Sequence, residues 1–97
     1  MLNSKIIMNQ QVHVFFIGTV QGVGFRYTAL MYAQQLDLAG WVRNLPDGSV
    51  EAMAEGPKDK LQQFVSKLDS HFDGYIREKK VNYREASGSF REFKITH

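Results

Sequence analysis

The segment Gly18-Thr19-Val20-Gln21-Gly22-Val23-Gly24-Phe25-Arg26 gathers three glycines into one loop and closes on an arginine. The run before it, Val12–Ile17, is apolar, β-branched and aromatic, which predicts a buried strand. After it, Phe25, Ala29, Ala33 and Leu36 fall on one helical face. A strand-loop-helix junction aims unpaired backbone N–H groups into the loop, where they favour anions. Glycine allows close backbone approach and positive φ there. Arg26 adds a permanently charged, forked donor that matches phosphate geometry. The combination suits a phosphate cradle, with a tight structural connection as the competing explanation. The spacing is not the dinucleotide fingerprint, and no Gly-Lys-Ser/Thr follows to make a Walker loop.

A second patterned segment, Gly40-Trp41-Val42-Arg43-Asn44-Leu45-Pro46-Asp47-Gly48-Ser49-Val50, follows, with Gly56 beyond it. Together the two segments resemble the acylphosphatase family. The second matches the family pattern throughout, and the first matches from Gly18 through Val20–Val23 to Phe25-Arg26. One departure is Phe16, where the family usually carries an aliphatic residue, a change expected to affect strand packing only. The resemblance implies hydrolysis of the carboxyl-phosphate bond of small acyl phosphates. It makes Arg26 and Asn44 the catalytic residues, and Gln21, Gly22, Val23, Gly24 and Arg26 the phosphate-binding set. Without the resemblance, Asn44 reads only as an Asn beside a turn. The side chains of Val20, Gln21 and Val23 read as scaffolding, with Gln21 tying the loop together. Trp41 reads as sheet packing or pocket rim, and Tyr27, Met31, Tyr32 and Met53 as core or surface filler.

Composition narrows the chemistry further. There is no cysteine, so disulfides, thiolate nucleophiles and Cys-bound metals are excluded. His13, His71 and His97 are scattered without ligand-like spacing, so we expect no metal and no cofactor. His13 is expected to face solvent from the first strand. With no cysteine nucleophile and no Ser/His/Asp arrangement, direct attack of water on phosphorus is the expected step. The net charge of +2 is too small to argue for nucleic acid. No acidic residue precedes Asp37, which leaves Lys5 and Arg26 unopposed and favours a small anionic substrate. The alternative from another class is a non-catalytic phosphate- or nucleic-acid-binding module, against which the missing basic-aromatic RNA signature argues.

The elements that must place these groups follow from periodicity. Residues 1–11 read as a loose lead-in and 12–97 as one domain. Strands are expected at Val12–Ile17, Gly40–Leu45, Ser49–Ala54, Lys79–Glu85 and Phe90–Thr96. A first helix is expected at Arg26–Leu38. A second should open at Gly56-Pro57, with Pro57 in the first helical position, and end at Gly74. Leu45-Pro46-Asp47-Gly48 reads as a hairpin turn. The order βαββαβ plus a short strand predicts an α+β ferredoxin-like sandwich, an antiparallel sheet with two helices on one face. In it the first two strands run the same way, bringing Arg26 and Asn44 to one end of the sheet. No apolar run reaches membrane-spanning length and no targeting signal is visible, so a cytoplasmic monomer is expected. A segment like this can also serve as one domain of a larger carbamoyl-transfer protein. The chain ends about where that domain would, so a free-standing enzyme is expected.

Overall fold

The computed structural model describes residues 8–97. Its elements are β1 (Asn9–Gly18), α1 (Phe25–Gln35), β2 (Ala39–Asn44), β3 (Val50–Pro57), α2 (Lys58–His71), β4 (Ile76–Glu85) and β5 (Phe93–Ile95). The sheet order is β4-β1-β3-β2-β5. β1 and β2 both pair antiparallel with β3, which lies between them, so they run in the same direction as predicted. β5 departs from the all-antiparallel expectation: it joins β2 in parallel through Gly40, Trp41 and Val42 and makes the sheet mixed. The resulting architecture is the ferredoxin-like βαββαβ sandwich.

Alternation along the strands builds the core. Val12, Val14 and Phe16 of β1 are registered against Ala54, Ala52 and Val50 of β3, and all six are fully buried. Phe25, Ala29 and Ala33 of α1, and Leu61, Phe64, Val65 and Leu68 of α2, close over that face. Each large side chain buried there contributes roughly 1.5–3 kcal/mol.

Several boundaries differ from expectation for identifiable reasons. β1 begins at Asn9, not Val12, because Gln10 and Gln11 already pair with Gly56 and Glu55. The polarity of Asn9, Gln10 and Gln11 is no bar: Gln11 is buried with its side-chain amide on Glu55 at 2.6 Å. The rest of the expected lead-in, Lys5 included, lies outside the described residues. α1 stops at Gln35 because Asp37 takes a left-handed conformation (φ 60°). Asp37 N–H then bonds to Gln34 O and Leu38 N–H to Ala33 O, a Schellman closure with Asp where Gly is usual. Pro57 is the N-cap of α2 and not its first residue, since its ψ of 143° is still extended. β5 keeps only three residues of the longer strand expected, the three that find partners on β2.

Candidate active site

At the top of β1 the pairing with β4 shifts register between Ile17 and Gly18, and the chain leaves the sheet. Thr19 N–H bonds to Tyr75 O at 2.9 Å and fixes the exit. The loop that follows is pinned at both ends by apolar anchors. Val20 is fully buried, Val23 packs against the core, and Phe25 stacks on Phe72 with ring centroids 4.4 Å apart. Phe16, the departure noted above, lies 4.8 Å from Phe25 and so buttresses the residue before Arg26.

Between these anchors the backbone curls. Gly22 and Gly24 have φ of 77° and 81°, which a side chain would strain although open space surrounds both. Among the described residues, the N–H groups of Gln21, Gly22, Val23 and Gly24 donate to no backbone carbonyl. Gly24, the N-cap of α1, offers no side chain to accept from the first N–H groups of the helix, and the first turn of α1 has no acidic residue. The positive end of the helix dipole is thus left open toward the loop.

One cavity of about 260 Å³ sits here, lined by Gly22, Gly24, Arg26 and Asn44 over a floor of Val20 and Phe25. Arg26 takes part in no salt bridge among the described residues, and neither it nor Asn44 donates a side-chain hydrogen bond to another of them. No Asp or Glu side chain lines the cavity. Four of the six residues expected at the site therefore converge. The side chains of Gln21 and Val23 do not line the cavity: Val23 packs inward, and Gln21 turns toward the β2–β3 turn.

Gln21 Nε2 donates to Leu45 O at 2.7 Å and to Ser49 O at 2.9 Å. The turn itself is closed by Gly48 N–H on Leu45 O and Leu45 N–H on Ser49 O, as Leu45-Pro46-Asp47-Gly48 predicted. Asp47 Oδ1 accepts from both Ser49 N–H and Ser49 Oγ, and these bonds hold its carboxyl below the ordinary range.

The sequence missed part of the wall. Tyr27, read as filler, lines the cavity together with Ile95 and His97. Adjacency to Arg26 was the only signal for Tyr27, and none existed for the other two. Trp41 is not on this rim. It lies on the open face of the sheet, in a separate depression with Phe90 and Lys94, and carries Arg43 over its ring at 5.1 Å. His13, expected in solvent, is half-buried on the same face with Nε2 on Glu51 at 2.6 Å, and Arg43 Nε meets the other Glu51 oxygen at 2.8 Å. Burial pushes the Glu51 carboxyl up, but the bonds from His13 and Arg43 outweigh it and hold it below the usual range. Among the described residues no group of three His, Asp or Glu side chains is placed to hold a metal ion. None of their helices is long and apolar enough to cross a membrane.

Fold and loop together define a small α+β protein in which unpaired loop N–H groups, Arg26 and Asn44 meet at the ends of β1 and β2, two strands that run the same way on either side of β3. The acylphosphatase family profile matches residues 12–95, and the chain belongs to that family. An acylphosphatase of Acaryochloris marina is 45% identical over 78 residues, covering 80% of this chain and 84% of that protein. One of Trichormus variabilis is 60% identical over 55 residues, 57% of this chain, and the match spans about half (54%) of that relative's length. The crystal structure of acylphosphatase from Bacillus subtilis superposes with a TM-score of 0.84 at 38% identity, covering 91% of this chain and 99% of that one.

Proposed function

We propose that the protein hydrolyses small acyl phosphates to a carboxylate and inorganic phosphate by direct attack of water on phosphorus. The observation that carries this is the Arg26 guanidinium, without an ion-pair partner among the described residues, sharing one cavity with Asn44 and the glycine loop. The backbone N–H groups of Gln21–Gly24 and the Arg26 fork bind the equatorial phosphoryl oxygens, where charge spreads in the transition state. Asn44 binds and aims the attacking water. As the water O–P bond forms, the acyl O–P bond breaks and its electron pair leaves on the carboxylate. The water proton passes to a phosphoryl oxygen of the substrate, because an amide cannot accept it at neutral pH. A carboxylate leaves readily, so no general acid is required. The protein acts as a monomer without metal, and inorganic phosphate, offering the same oxygens, inhibits competitively.

Phosphate release from acetyl phosphate and from a simple alkyl phosphate tests the assignment. Turnover of the first and far slower turnover of the second is expected, since the alkoxide finds no acid. Comparable rates on both would overturn the mechanism, and binding without turnover would make the protein an anion-binding module.

A further inference from the structure

Building on the hydrolytic activity above, we propose that the Gln21 side chain is a positioning residue. It holds the β2–β3 turn, and with it Asn44, in register with the phosphate loop.

The loop and the turn are separate segments, and nothing in the sheet pairing joins them: the β1–β3 register ends at Phe16↔Val50, below both. The carboxamide of Gln21 spans that gap with two donors on two carbonyls, Leu45 O at 2.7 Å and Ser49 O at 2.9 Å. These two carbonyls flank the turn, and Asn44 is the residue immediately before it. The direction of control follows from anchoring. The loop is fixed independently by buried Val20 and Phe25. The turn ends in exposed Pro46 and Asp47 and has no apolar anchor at its tip. Removing the clamp therefore releases the turn more than the loop. Asn44, the last β2 residue and registered against Val50, adjoins the released turn and is the group that shifts, while the cradle stays formed.

Kinetics separate this from a cradle role. Misplacing a reacting group by about 1 Å can lower the rate about 10²-fold. Gln21→Ala is expected to lower kcat on acetyl phosphate by about 10- to 100-fold while the inhibition constant for inorganic phosphate moves less than about threefold. Folding is not the obstacle, because each carbonyl keeps its other partner, Gly48 N–H on Leu45 O and Leu45 N–H on Ser49 O. Gln21→Glu keeps the shape but sets oxygens against those carbonyls, so it should lose at least as much as Ala. The decisive measurement is a double-mutant cycle. If Gln21 acts through Asn44, then Gln21→Ala in an Asn44→Ala background should reduce kcat by less than about threefold further. Normal kcat in folded Gln21→Ala or Gln21→Glu would overturn the proposal. So would fully multiplicative losses in the double mutant, or a phosphate constant that weakens in step with kcat. A wild-type protein without turnover would refute the hydrolytic assignment itself, an outcome distinct from all of these.

Discussion

Arg26→Ala should make the protein more stable while abolishing its activity. Arg26 is the second residue of α1, where its positive charge opposes the positive end of the helix dipole. Among the described residues nothing neutralises it: the first turn holds no acidic residue, the Gly24 cap offers no side-chain acceptor, and no salt bridge involves it. A like-signed charge in the first turn costs about 0.3–1 kcal/mol. Alanine also gains a few tenths of a kcal/mol in helix propensity. Lost packing of the half-buried arginine stem works the other way by a similar few tenths. The balance is a net stabilisation of about 0.5 kcal/mol, or a rise in Tm of about 2–4 °C for a chain of this size. Activity should move oppositely, because each lost transition-state donor costs on the order of 10²–10³ in rate. Lysine should restore little, since a point charge lacks the fork. Thermal unfolding followed by circular dichroism, with and without inorganic phosphate, reads both the stability change and the loss of anion binding. Wild type should gain about 2.7 kcal/mol at phosphate a hundredfold above its Kd, and Arg26→Ala almost none at the same concentration. A variant destabilised by more than about 1 kcal/mol would mean that Arg26 makes a structural contact, and the argument would fail. A preserved phosphate shift would place the anion elsewhere.

Asn44→Ala should lower kcat at least 10²-fold with the phosphate constant nearly unchanged, the mark of a contact made at the chemical step; near-normal turnover in the folded variant would remove its water-positioning role. Glu55 accepts from Gln11 Nε2, Ser87 N–H, Ser87 Oγ and Gly88 N–H. Burial pushes its carboxyl up, yet these bonds outweigh burial and hold it below the ordinary 4.5. Its stabilisation is thus complete above that value and is lost as pH falls through the lower folded one. Urea unfolding between neutral and acid pH should show a shallower acid loss in Glu55→Gln, reduced but not abolished because Glu51 titrates in the same sense; an unchanged slope would count against it. Asp37→Gly should raise stability by about 0.5–1 kcal/mol by relieving the left-handed Asp in the α1 closure, and a lower Tm would show that the Asp side chain contributes there.

What the sequence carried and what it withheld divide along the range of the interactions. The strand-glycine loop-helix junction, the Leu45–Gly48 turn and the buried faces of both helices were legible because each depends on neighbours within a few residues. The shared direction of β1 and β2 followed from connectivity alone, and it brought Arg26 and Asn44 to one cavity. Long-range pairings were not legible. The parallel docking of β5, three residues long, is decided by the free edge of β2, and it alone brings Ile95 to the cavity wall. Gln11 and Glu55 break the apolar alternation of buried positions; they bond to each other, and the further partners of Glu55 at Ser87 and Gly88 lie more than thirty residues beyond it. The same division explains the architecture of the site. Its donors are left unpaired by local backbone geometry, which a short motif can encode. Their alignment with Asn44 depends on Gln21 reaching across 24 and 28 residues of chain to the turn, which no local pattern reveals. A motif can therefore specify the cradle and name Asn44, while the clamp that sets the distance between them is visible only once the chain is folded.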